Sequence, residues 1–313
     1  MKAKKEVITQ KTFGQRVRRD WTMNWTLYML MIPVLVYFIL FCYLPMYGIV
    51  MSFQDYSIYK GFTGSEWVGF EHFIKFFNSP RFGELLINTI RISLSCLAFG
   101  FPAPIVLALL LNELKSARLG KVIQNCTYIP HFISLVVACS IVKLFTNETG
   151  VIGAFVNAIT GADGNMLNYK ENFLPIYVIS NIWQECGWGS IIYLAALTGI
   201  DQSLYEAAEV DGAGKWKKVI SITLPSILPT VIIMLIMRMG SILSVGYEKI
   251  LLLGNDATSE VSDVLSTYNY EVGIKQSRYS YSSAIGLFNT LVNLAFVQGA
   301  NWISRKVNGY ALW

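Results

Sequence analysis

Six runs of apolar residues, each broken by at most one charged side chain, set the framework of the chain. They cover about Trp25 to Val50, Asn88 to Leu111, Val122 to Val142, Phe173 to Leu197, Val219 to Val245 and Tyr281 to Ile303. About 20 uncharged apolar residues are what a helix needs to cross a bilayer. The pattern therefore predicts an all-α membrane protein with six transmembrane helices. Between the runs lie short polar stretches and two longer ones, about Asp55 to Leu85 and Gly246 to Ser280, rich in Tyr, Phe, Trp and Ser. Phe70, Phe73 and Phe77 have helical spacing, which predicts a short amphipathic helix at the membrane surface or against the bundle.

Composition agrees with this pattern. Charged residues make up 14% of the chain and hydrophobic ones 54%, against about 25% charged in soluble domains. The basic residues are unevenly placed. Lys2, Lys4, Lys5, Lys11, Arg16, Arg18 and Arg19 precede the first run, and Lys115, Arg118 and Lys121 follow the second. Lys215, Lys217 and Lys218 lie between the fourth and fifth, and Arg305 and Lys306 follow the sixth. Loops on the other side carry fewer, among them Lys60, Lys75, Arg81, Lys170 and Lys249. The positive-inside rule then puts both termini and the 200–225 loop in the cytoplasm. The net charge of +5 is this bias, and does not point to nucleic acid. The first run is too long for a signal peptide and is expected to be an uncleaved anchor. The expected divisions are a basic segment 1–24, a six-helix domain 25–304 and a tail 305–313.

No phosphate-binding glycine loop and no cysteine–histidine metal spacing occurs. The five cysteines, Cys42, Cys96, Cys126, Cys139 and Cys186, read as small buried hydrophobes. No metal site is expected.

Residues 206–225 carry the most specific pattern: Glu206-Ala207-Ala208, Gly212, Ile222 and Leu224-Pro225. Its residues predict a short helix ending at Val210, a turn at Asp211-Gly212-Ala213 and a second helix from Lys215 punctuated by Pro225. This spacing resembles the coupling loop of binding-protein-dependent ABC importer permeases. Further stretches resemble the carbohydrate-uptake class of these permeases, within it the LplB-like branch for complex oligosaccharides that includes alginate importers. They are 32–57, WVGFEHFIKFFNSPRF at 67–82, GFPAPIVLALLLNE at 100–113, YIPHFIS at 128–134, GWGSIIYLAALTGID at 187–201 and VGYEKILLL at 245–253.

The resemblance implies the transmembrane domain of a type I importer. Glu206, Ala207, Ala208, Asp211, Gly212 and Ala213 would dock on an ABC ATPase, with Glu206 as its charged contact. The implied partners are a second homologous permease, two ABC ATPase subunits, an extracellular solute-binding protein, an oligosaccharide and membrane lipid. This chain would bind no cofactor; ATP and magnesium would sit on the ATPases.

Polar groups inside the spans are candidates for the substrate path, because a charge at mid-bilayer costs about 2.5–3.5 kcal/mol on insertion scales. Asn181, Glu185 and Trp188 share one face of the fourth span, with Trp183 beside them. Sugars are held by aromatic faces and by polar groups that orient hydroxyls. Glu185 could equally pair with Arg238 as structural glue. Arg238, Ser241, Tyr247 and Glu248 form a second group; Tyr247 alone would suit an interfacial aromatic belt. Asn289 and Asn293 on the sixth span could line a path or bond across helices. The alternative function is an ion-coupled secondary sugar carrier with Glu185 as relay. An intramembrane enzyme ranks behind both, since Glu185, Arg238 and His131 form no catalytic pattern.

Overall fold

The computed structural model describes residues 13–161 and 163–313. The predicted basic segment lies partly outside them. Among the described residues, five helical stretches are long and apolar enough to cross a membrane: Asp20–Phe53, Phe82–Asn112, Leu135–Thr160, Lys215–Met239 and Tyr279–Val307. The fourth predicted span is the helix Lys170–Thr198, 29 residues long. At 1.5 Å per residue it extends about 43 Å, ample for a bilayer. Its polar residues lower its hydropathy, and they are the residues of the candidate site.

Two predicted spans are not continuous helices. The run Val122 to Val142 is split into helix Ala117–Tyr128, a 3-10 turn Ile129–Phe132 and helix Leu135–Thr146. Ile133 is extended (φ −77°, ψ 134°), and the Ser134 hydroxyl caps the second helix by accepting from Val137 N–H. A tight turn joins the following helix, Val151–Thr160, to Leu135–Thr146, and a Cβ at Gly150 in that turn would lie 2.2 Å from the Leu144 carbonyl oxygen. The fifth span stops at Met239, short of the predicted Val245. Residues 240–246 are non-helical, and helix Tyr247–Leu253 follows.

Pro225 does not end its helix. A π turn, Val219–Thr223, precedes it and the helix continues to Met239. The same device recurs at Phe38–Tyr43 before Pro45 and at Cys96–Gly100 before Pro102. A proline ring collides with the carbonyl four residues earlier. In each case that carbonyl belongs to a residue in the π turn (Phe41, Ala98 or Ser221), where the wider backbone makes room.

The fourth span is the hub. It packs along helices Pro102–Asn112, Ala117–Tyr128 and Leu224–Met239. Two glycines permit the approach: a Cβ at Gly187 would lie 2.0 Å from the Thr127 carbonyl oxygen, and one at Gly189 would lie 3.1 Å from Pro104 Cγ. Small residues at crossings are how helices associate where the solvent is as apolar as their side chains. Most large apolar residues of the first span point outward, from Trp21 to Tyr47.

At the end opposite the 200–225 loop, helix Glu71–Phe77 packs on the bundle, with Phe76 fully buried and ringed by Phe82, Tyr281 and Phe288. Arg81 pairs with Asp263, Lys170 with Glu260, and Asn88 donates to the Glu260 and Asp263 carbonyls. The C-terminal tail, for which a loose end is the default, folds back instead. Gly309 turns left-handed (φ 73°), Leu312 N–H donates to Asn301 Oδ1 at 2.8 Å, and Ser304 Oγ donates to the Tyr310 carbonyl at 2.7 Å.

Candidate functional site

A cavity of about 610 Å³ opens where the fifth span breaks. The fourth span contributes Asn181, Gln184, Glu185 and Trp188 to its wall, and the fifth contributes Arg238 and Ser241. The i, i+4, i+7 spacing does bring Asn181, Glu185 and Trp188 to one surface. Gln184 and Tyr177 join them on the same helix, and Lys249 from helix Tyr247–Leu253 completes the wall.

The break itself is stitched by side chains from other helices. Ser93 Oγ donates to the Ile242 carbonyl, and Ser266 Oγ donates to the Val245 carbonyl at 2.6 Å. Asn293 Oδ1 accepts from Leu243 N–H at 2.9 Å, while its amide donates to Ser244 Oγ at 2.9 Å. Irregular backbone at membrane depth persists where protein satisfies it or where it lines a cavity, and this segment is both bonded by protein and on the cavity wall. Asn293 is thus a cross-helix bond. Asn289 is not on the cavity wall, and its Oδ1 is buried without a partner among the described residues.

Glu185 does not pair with Arg238. Its Oε2 lies 3.0 Å from His131 Nδ1, and the His131 ring stacks on Trp188 at 4.6 Å and 2°. The 3-10 turn that splits the third span carries His131 to this place. A carboxylate, an imidazole and an indole thus form one unit across two spans. Arg238 has no ion pair among the described residues. Of the other predicted residues, Trp183 is absent from the cavity wall and exposed, Tyr247 stacks on Tyr270 at 5.0 Å, and Glu248 is exposed.

Sequence reasoning missed Lys249 and counted it as a loop cation. It is 6% exposed, its Nζ has no hydrogen-bond partner among the described residues, and it sits 5.5 Å from the Tyr177 ring centroid. The available signal was its place before Ile250-Leu251-Leu252-Leu253: Ile250 and Leu253 are buried with it on one side of a short helix.

The 201–225 loop is rigid for reasons visible in its hydrogen bonds. Asp201 caps helix Gln202–Val210 by accepting from Ser203 N–H at 2.9 Å, which holds its carboxyl below the usual carboxylate range. The helix ends in a Schellman turn. Ala213 N–H donates to the Ala208 carbonyl at 2.8 Å and Gly212 N–H to that of Glu209 at 3.0 Å. Gly212 has φ 72°, the left-handed conformation that a Cβ disfavours. Lys218 Nζ donates to Glu209 Oε1 at 2.6 Å across the turn and lowers the Glu209 pKa. Tyr205 Oη, 2.9 Å from Thr223 Oγ1, ties the helix to the fifth span. Glu206, Ala207, Asp211 and Gly212 are exposed, and Ala208 and Ala213 are half-buried. Val210 and Trp216, 89% and 81% exposed, add an apolar surface.

A helical bundle with a polar cavity at a broken span, and a capped, exposed loop at one end, defines a membrane transport subunit. The chain belongs to the family of binding-protein-dependent transport system inner membrane components, whose model matches residues 100–309. It is 46% identical over 288 residues to protein LplB of Bacillus subtilis (strain 168), covering 92% of this chain and 91% of that protein. It is 44% identical over 281 residues to the polygalacturonan/rhamnogalacturonan transport system permease protein YteP of the same organism, covering 90% and 88%. A solved bacterial ABC transporter involved in the import of the acidic polysaccharide alginate contains a chain that superposes with a TM-score of 0.86 at 41% identity, covering 94% of this chain and 99% of that one. The chain is therefore a multi-pass permease of the ABC sugar-importer type with a type I importer fold. Membership of a binding-protein-dependent family replaces the reading of the chain as an ion-coupled carrier.

Proposed function

We propose that this chain is one of two permease subunits of an ATP-driven importer that carries a polysaccharide-derived oligosaccharide into the cytoplasm. The observation that carries this reading is the cavity at the broken fifth span. Trp188 offers an aromatic surface there, and Asn181, Gln184 and Glu185 offer hydroxyl-orienting groups. Its size suits a few sugar rings, within the range of about 300–1,000 Å³ for small-molecule sites. The transport of polysaccharides by relatives supports the cargo class.

An extracellular binding protein delivers the sugar. A second, homologous permease forms the other half of the path. Two ABC ATPase subunits bind ATP and magnesium below the loop. The basic bias of the loops supports the same orientation, with the 201–225 loop and both termini cytoplasmic. Closure of the ATPases moves helix Gln202–Val210, and the Tyr205–Thr223 contact passes that motion to the fifth span at whose far end the cavity lies.

The test is purification of the tagged chain from its own membranes in mild detergent, followed by sugar-stimulated ATP hydrolysis in proteoliposomes. A second permease and an ATPase should co-purify. Glu206→Ala and Gly212→Asp should leave membrane insertion intact and lower both stimulated hydrolysis and uptake. Normal uptake in both variants would overturn the coupling role of the loop.

A further inference from the structure

The cavity holds more positive charge than its own carboxylate balances. Lys249 and Arg238 both line it, Lys249 buried and Arg238 exposed. Neither has an ion pair or a side-chain hydrogen bond among the described residues. Glu185, the carboxylate on the same wall, is held by His131. Lys249 is more than nine-tenths buried at the edge of an apolar cluster that includes Cys96, Cys139, Tyr177 and Ile250. A buried, unpaired ammonium is costly. Met or Leu in place of Lys249 would remove that cost and pack on Tyr177 equally well, so the charge serves something that enters the cavity.

We infer that Lys249 and Arg238 form a receptor for the carboxylate groups of an acidic, uronate-bearing oligosaccharide, and that Lys249 is the residue by which the membrane path separates acidic from neutral cargo. The chemistry of the two side chains suits this role. The guanidinium offers a fork matching a carboxylate, and the ammonium offers a point charge with three donors. Transit needs binding that is favourable yet reversible. A cation already partly shielded by the Tyr177 ring holds an anion less tightly than a bare one. The inference rests on the importer reading above and assigns the cargo's charge to named residues.

The test uses the whole transporter with its binding protein in proteoliposomes, and three probes: trigalacturonate, its fully methyl-esterified form and the neutral arabinotriose. The binding protein is the same throughout, so a change between variants belongs to this chain. Lys249→Met should lower trigalacturonate uptake at least tenfold and lower the acid-to-ester uptake ratio by a similar factor. Lys249→Arg, which keeps the charge, should hold that ratio within about twofold of the unsubstituted chain. Co-purification of the ATPase establishes that each variant is folded. Loss of acid and ester uptake in equal proportion, or an unchanged ratio in Lys249→Met, would overturn the inference. Uptake of arabinotriose with rejection of trigalacturonate by the unsubstituted complex would overturn it while sparing the importer reading. Uptake of none of the three would remove both.

Discussion

Gly187→Ala tests the packing that places the cavity. In this structure the new Cβ would lie 2.0 Å from the Thr127 carbonyl oxygen and 2.4 Å from its carbonyl carbon. Carbon pairs pack best at about 3.5–4.0 Å, so the third and fourth spans must separate by roughly 1 Å. The obstacle is backbone, so no side-chain rotation relieves it. Overpacking of this kind costs about 1–3 kcal/mol. Alanine in a helix is otherwise better than glycine by about 1 kcal/mol, so the sign of the effect is the diagnostic. Gly299 supplies the control, since its helix is continuous and nothing lies within 4 Å of its would-be Cβ. Thermal unfolding of the purified complex in detergent should show a lower midpoint for Gly187→Ala and an equal or higher one for Gly299→Ala. His131 and Glu185 sit on the two elements being wedged apart, so uptake should fall with stability. A Gly187→Ala midpoint at or above that of the unsubstituted chain would refute the close crossing.

Two further predictions concern the break and the loop. Asn293→Ala should destabilise by about 1–3 kcal/mol, the cost of a buried donor left unmade, and hydrogen exchange at 240–246 should speed up; unchanged exchange there would show that Asn293 does not hold the break. Glu209 has its pKa lowered by Lys218, and Asp201 by Ser203 N–H. A folded-state pKa below the unfolded one stabilises above the unfolded value, about 4 for carboxylates, and that contribution is lost as pH falls through the folded value. A spin label at position 210 should therefore gain mobility on acidification, and Lys218→Met should raise its mobility already at neutral pH and shrink the acid-dependent gain; unchanged mobility at neutral pH would remove the pair as a constraint.

Much of the architecture was legible because hydrocarbon imposes simple rules. A span must be long, apolar and internally hydrogen-bonded, so the runs near 25–50, 88–111, 173–197 and 281–303 all fall within observed helices. The turn at Gly212 was legible because the conformation that glycine tolerates best is part of a local motif. Where the reading fell short, the missing information was not local. Pro225 punctuates the pattern inside the fifth run, and a π turn carries the helix past it. The fifth run looked continuous to Val245, yet side chains on three other segments satisfy a broken backbone there.

The cavity separates the two sources most clearly. Hydrophobic period and charge placed Asn181, Glu185 and Trp188 on one helical face, because 3.6 residues per turn is a property of the chain alone. The sequence determined the class, the spans and the loop in the same way, through patterns that repeat over short distances. Tertiary structure decided that Glu185 meets His131, 54 residues away, rather than Arg238. It also turned Lys249 from an outer loop cation into a buried, unpaired charge. Which partner a buried charge finds depends on how helices cross and where they break, and those are set by packing between segments far apart in the chain.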